Sequence, residues 1–273
     1  MPSPSFTLAN HTPHLIIQPS DAALSPPESY LFVQDGLIIS CGILYAFCYI
    51  FCMIRTYSDR TYPSASVKGI QFMSLTLAYE LFYAVMTTTT TFELLAFLAW
   101  FLLDVGFVAV AIWRAHEKRD RAWLVRRIVG FVLAGVGVLK GLTMLWPDER
   151  EQVTAYWTGI LLQLPIGWIC LATLWKEWDT RGHSLEIWYV ICNGLLAFYT
   201  AVEDADGDTR LMRYLGCYTA YGVFFWRYWN VPQNWEYVAS VWSTGIILWT
   251  LLPETVYPFV YVWVHRTSKV KGE

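Results

Sequence analysis

The chain has 273 residues, of which 56% are hydrophobic, 17% aromatic and only 15% charged, with a formal net charge of −3. Soluble proteins average about 25% charged residues. This composition, with its positive mean hydropathy, excludes a soluble enzyme carrying one anchor and points to a polytopic membrane protein. No hydrophilic stretch is long enough for a separate soluble domain.

In chain order, residues 1–36 form a polar, Pro/Ser-rich segment without the charged and apolar regions of a signal peptide. It contains one isolated glycosylation sequon, Asn10-His11-Thr12. Apolar runs long enough to cross a bilayer follow at 37–54, 69–87, 94–113, 125–146, 154–174, 211–229 and 237–264. They predict an all-α fold: seven transmembrane helices in one bundle over residues 37–265, then a basic tail, 266–273. Arg55, Arg60 and Lys68, the group from Arg114 to Arg127, Lys176 and Arg181, and Arg266, Lys269 and Lys271 lie in alternate connections and the tail. The opposite connections and the N-terminal segment hold only Arg150. Basic residues mark the cytosolic side, so the N-terminus is expected in the lumen and the C-terminus in the cytosol, in the endoplasmic reticulum. Six cysteines lie in apolar runs without metal-ligand spacing, and read as free buried thiols.

Three acids interrupt the apolar runs: Glu80, Asp104 and Glu254. A carboxylate at the bilayer centre costs about 2.5–3.5 kcal/mol on insertion scales. At 1.5 Å per residue, Glu80 falls roughly 17 Å from one end of its span, and Asp104 and Glu254 roughly 15 Å from theirs. All three are therefore expected near one depth, lining one interior site. A protonated carboxylic acid in an apolar pocket is a good proton donor; the blander reading is a hydrogen bond between helices. Tyr79 and Tyr83 flank Glu80, and Tyr257 follows Glu254 by one helical turn. Trp100, Trp242 and Trp249 lie near the same depth. Aromatic faces stabilise cations; core packing and interface belts account for most of the tryptophans. Pro253 and Pro258 bracket Glu254 and leave backbone carbonyls to be satisfied by neighbours. Lys140, Arg213 and Arg227 lie near span ends, where long side chains reach polar surroundings.

Tyr79-Glu80-Leu81-Phe82-Tyr83, Leu103-Asp104-Val105, Pro253-Glu254-Thr255-Val256-Tyr257-Pro258 and the connection Phe225–Trp235 together resemble the fungal integral-membrane terpene cyclases of meroterpenoid and paxilline-type indole-diterpene pathways. Two departures are conservative: Tyr79 stands where that family usually has Trp, and Glu254 where Asp is common. The resemblance implies protonation of the terminal epoxide, or an alkene, of a prenylated substrate, followed by cation-driven polyene cyclisation of isomerase or lyase type. It implies catalytic roles for Glu80 and Glu254, with Asp104 in support, and a lining of Tyr79, Tyr83, Trp100, Trp249 and Tyr257. It implies no metal, no cofactor and no nucleic acid. The partners it implies are the bilayer, the prenylated substrate, and an upstream prenyltransferase and epoxidase.

Residues 189–210 depart from that pattern. Ser184–Trp188 would join Leu211–Gly216 into one span, so the intervening segment reads as an atypical insertion. Three accounts compete: an interfacial hairpin, an eighth span, which the charge pattern opposes, and a translated intron. Its cluster Glu203-Asp204-Ala205-Asp206-Gly207-Asp208 begins like a calcium loop, but Leu215 stands where the bidentate Glu belongs. Rival functions for the whole chain are a seven-span receptor, a proton-coupled transporter, for which inverted repeats are missing, and a prenyltransferase, for which paired aspartate-rich motifs are missing.

Overall fold

The structure is a computed structural model that describes residues 14–15, 19–62, 67–86, 91–146, 153–178, 180–181, 183 and 209–270. Seven long helices stand among them: α1 (Glu28–Asp59), α2 (Val67–Met86), α3 (Thr91–Ala115), α4 (Lys118–Leu145), α5 (Val153–Glu177), α6 (Thr209–Asn230) and α7 (Val241–Val270). No strand occurs among the described residues. Five of these helices, α1, α3, α4, α5 and α7, are long and apolar enough to cross a membrane. The sequon, Cys192, Arg150 and the insertion lie outside the described residues, apart from the first two residues of α6.

Helical structure begins ahead of residue 37, with a short turn at Pro19–Ala22 and α1 from Glu28. The helices pack as a ring in the order α1, α3, α2, α5, α7, α6 and back to α1, with α4 laid against α2. Small residues set some of these approaches. A Cβ on Gly135 of α4 would lie 2.6 Å from Ala78 Cβ of α2, so only glycine allows that contact.

Contacts fix the helix directions. In the α1–α3 pair, Tyr49 meets Trp100 and Tyr57 meets Arg114, so both indices rise together and the helices run parallel. In the α5–α7 pair, Tyr156 bonds Ser243 and Gly167 meets Glu254, again parallel. In the α1–α6 pair, Gln34 meets Arg227 and Tyr45 meets Cys217, so this pair is antiparallel.

A buried polar cluster joins the N-terminal turn to the α6–α7 connection. Asp21 accepts from Asn234 Nδ2 at 2.8 Å, from Trp235 Nε1 at 3.1 Å and from Tyr30 Oη at 3.3 Å. Arg227, read from sequence as a residue at a span end, is buried; its Nε donates to Gln34 Oε1 at 2.9 Å and its guanidinium lies 4.6 Å from the Trp235 ring centroid. Lys140 is exposed, as its position near the end of α4 requires. The five described cysteines are not joined in disulfides.

Candidate active site

Glu80, Asp104 and Glu254 are all inside the bundle, 1%, 2% and 3% exposed. Glu80 projects from α2 towards α1, where Tyr49 Oη donates to its Oε1 at 3.5 Å. Trp100 Nε1 of α3 donates in turn to Tyr49 Oη at 3.0 Å. This order of donors leaves the tyrosine hydroxyl proton aimed at Glu80. The other carboxyl oxygen, Glu80 Oε2, is buried with no hydrogen-bond partner among the described residues. Buried polar atoms are usually paired, so this oxygen is an exception to the rule.

Asp104 lies within electrostatic reach of Glu80 and of Tyr49. Its Oδ2 accepts from Thr76 Oγ1 at 2.9 Å, one helical turn from Glu80 on α2. The two acids thus form one neighbourhood built by α1, α2 and α3. Aromatic rings continue from it. Trp100 stacks against Phe97 at 6.3 Å and meets Tyr45 at 5.3 Å, and Phe97 meets Tyr83 at 6.5 Å. Tyr79 and Tyr83 sit 4.6 Å apart and turn towards α5, Tyr79 Oη donating to the Ala155 carbonyl at 3.0 Å.

Glu254 has a different setting. Its Oε1 lies 2.8 Å from where a Cβ on Gly167 of α5 would stand. Tyr79 meets α5 at Gly159, eight residues earlier, or about 12 Å along the axis. The sequence arithmetic puts three acids at one level; the contacts bring Glu80 and Asp104 together and set Glu254 against α5 at Gly167. The two flanking prolines remain inside a continuous helix. Pro253 supplies no N–H to the carbonyl of Trp249, and Trp168 Nε1 donates to that carbonyl instead, at 3.1 Å. Pro258 likewise leaves the carbonyl of Glu254 itself without its helical donor.

Tyr257 points to His183 rather than into open space: its Oη and His183 Nδ1 share a hydrogen bond of 2.6 Å. Trp249, expected among the lining residues, is 55% exposed on the outside of the bundle, with its ring 4.8 Å from that of Trp168. The structure therefore brings Tyr79, Tyr83 and Trp100 close to Glu80, sets Tyr257 beyond Glu254, and turns Trp249 outward. Tyr49 and His183 were not singled out from sequence, although Tyr49 bonds directly to Glu80. Among the described residues, no group of three or more His, Cys, Asp or Glu side chains is arranged to hold a metal ion.

The sequence matches the Pyr4-like transmembrane terpene cyclases over residues 20–202 and 210–267. The chain belongs to that family. The match is interrupted inside the acidic stretch of the candidate insertion, and continues on both sides of it. Curated relatives of this terpene cyclase agree. A Pyr4-family terpene cyclase, mfmH of Annulohypoxylon moriforme, is 28% identical over 94% of this chain and 97% of its own length. Terpene cyclase macJ of Penicillium terrestre is 25% identical over 87% of this chain and 84% of its own. Terpene cyclase cdmG of Talaromyces verruculosus is 27% identical over 78% and 81%. No solved structure matches the chain. The family settles the broad class: a membrane-embedded terpene cyclase, and so an enzyme rather than a receptor or a transporter.

Proposed function

We propose that this terpene cyclase is acid-initiated and metal-independent, and that Glu80 is its first proton donor. The observation that carries the reading is the state of the Glu80 carboxyl: one oxygen held by Tyr49, the other buried and unpaired. A carboxylic acid so placed presents its proton to a substrate rather than to the protein. The epoxide oxygen of a prenylated substrate takes that proton as its carbon–oxygen bond breaks. Alkene π electrons then close the rings in turn, and the last cation loses a proton, so substrate and product have the same mass. An alkene terminus reacts likewise, with the proton going to carbon.

Asp104 supports Glu80 from one helical turn away through Thr76. Glu254 serves the far end of the reaction, where a carboxylate stabilises or deprotonates the advancing cation. Tyr79, Tyr83, Trp100 and Tyr257 offer π faces between them. Trp249 contributes through its backbone carbonyl and the Trp168 contact, which hold the helix around Glu254. The reaction is an isomerisation or lyase-type step of fungal secondary metabolism. It follows a prenyltransferase and an epoxidase. All seven long helices span the endoplasmic reticulum membrane with the N-terminus lumenal and the C-terminus cytosolic. The basic connections support that orientation, and the parallel α1–α3 and α5–α7 pairs fit consecutive crossings.

The test is direct. Microsomes containing the protein, given epoxidised prenylated candidates, yield a cyclised isomer of unchanged mass. Full turnover by both Glu80→Gln and Glu254→Gln would show that the acids are misassigned.

A further inference from the structure

His183 is one of the most completely buried side chains described, 2% exposed, yet it lies in the connection after α5 rather than in a helix. A histidine at the end of a bundle has water available and no reason of its own to be inside. Its surroundings supply one. Nδ1 shares the 2.6 Å bond with Tyr257 Oη, and the two rings lie 5.9 Å apart at 30°. The His183 backbone N–H donates to the Thr180 carbonyl at 3.0 Å, and its carbonyl accepts from Tyr261 Oη at 3.5 Å. Thr180 Oγ1 bonds His265 Nδ1 at 3.3 Å, and the His265 ring stacks on Tyr261 at 5.9 Å. The connection is thereby tied to α7 at three successive turns: Tyr257, Tyr261 and His265.

Below this tie the packing is closed. Tyr257 belongs to one buried cluster with Leu174, Tyr261 and Val264, and none of the four is more than 8% exposed. Tyr257 follows Glu254 by one turn, and helical side chains lean back towards the N-terminus, so its ring leans over the turn that carries Glu254. His183 thus sits at the end of the site where α5 and α7 finish, fixing the hydroxyl of the ring next to the second acid.

We propose that His183 is a positioning residue that locks Tyr257 over the Glu254 end of the site and seals that end against water. The proposal rests on the cyclisation reading above. In a cation cascade the seal has a chemical consequence. Water reaching a carbocation donates an oxygen lone pair, forms a carbon–oxygen bond and loses a proton. The product is then a cyclised alcohol, heavier than the substrate by one water. With the seal intact, the last cation loses its proton to the protein and the product stays an isomer.

The experiment compares His183→Ala, His183→Asn and Tyr257→Phe in the full chain in microsomes, at matched amounts of folded protein, with products resolved by mass. His183→Ala is expected to lose at least tenfold in turnover and to divert part of the product to cyclised alcohols. His183→Asn, whose amide can occupy the place of Nδ1, restores most of the turnover and the unchanged mass. Tyr257→Phe reproduces the alanine variant's products, and the double variant is no worse than either single one, because both break one interaction. Wild-type turnover and products in His183→Ala overturn the proposal. So does a loss that asparagine fails to rescue and that leaves the product spectrum unchanged, since that is a purely structural role. If Glu80→Gln and Glu254→Gln are both silent as well, the acid-initiated reading itself has failed; if both are impaired while His183→Ala is normal, only the role of His183 has.

Discussion

Gly167→Ala tests whether the observed place of Glu254 matters. The added Cβ would lie 2.8 Å from Glu254 Oε1 and 2.9 Å from Pro253 Cγ, where ordinary contact begins at 3.4 Å. The shortfall is about 0.6 Å for the carboxyl oxygen. That oxygen ends a flexible side chain and can swing away, but the Pro253 ring cannot, so α5 and α7 must also separate slightly. Overpacking of this kind costs about 1–3 kcal/mol, or about 5- to 150-fold in rate if all of it falls on the transition state. Misplacing a reacting group by about 1 Å has an effect of the same order. The assay is initial turnover in microsomes, normalised to folded protein. Gly137→Ala on α4 is the control, because nothing lies within 4 Å of its new Cβ; it keeps full turnover and favours the helix by about 1 kcal/mol. A Gly167→Ala enzyme as fast as the wild type would refute the reasoning, since Glu254 would then tolerate displacement without consequence.

Other consequences are equally concrete. Tyr49→Phe removes the donor to Glu80 Oε1, a bond worth about 1.5–3 kcal/mol once Glu80 has given up its proton and is ionised; turnover falls about tenfold or more with little change in KM, measured by steady-state kinetics. Asp21→Ala leaves the Trp235 and Asn234 donors without this acceptor, at about 1–3 kcal/mol each; thermal unfolding of detergent-solubilised protein shows the loss as a lower Tm. His116 contacts Tyr62 Oη at 3.2 Å in the connection after α3, and burial holds its pKa below the usual histidine value, opposed by Asp120. The unfolded chain therefore binds that proton more readily. Stability is present above the ordinary pKa of about 6.5 and declines as pH falls through it; His116→Asn flattens that decline in unfolding curves measured from pH 8 to pH 5.

Much of this architecture is legible in the sequence, because long apolar runs have one stable form in a bilayer, a helix. Glu80 and Asp104 are legible for the opposite reason: a carboxyl group in such a run is costly unless it is used or paired. What escapes sequence reading is the register between helices. Tyr49 sits in an apolar stretch of α1 with no local sign of its role, and its partners are 31 and 51 residues away. The bond between His183 and Tyr257 spans 74 residues. Arg227 reads as a residue reaching for water, yet meets Gln34 inside the bundle. Trp249 shows the limit of depth arithmetic: its position along α7 is right for a lining residue, but its azimuth is wrong, and helical spacing alone does not say which face is inside. Pro253 is intermediate. Its sequence position announces that the Trp249 carbonyl needs another donor, and only the packing of α5 names Trp168.

The central claim is that Glu80 gives the first proton, and the turnover of Glu80→Gln tests it most directly. Gln keeps the shape and can still accept from Tyr49, but has no acidic proton. General acid catalysis contributes about 10²–10⁴-fold. Folded Glu80→Gln protein is therefore predicted to cyclise the substrate at least about a hundredfold more slowly than wild type. Turnover within a factor of about two of the wild type, far short of that range, would contradict the account.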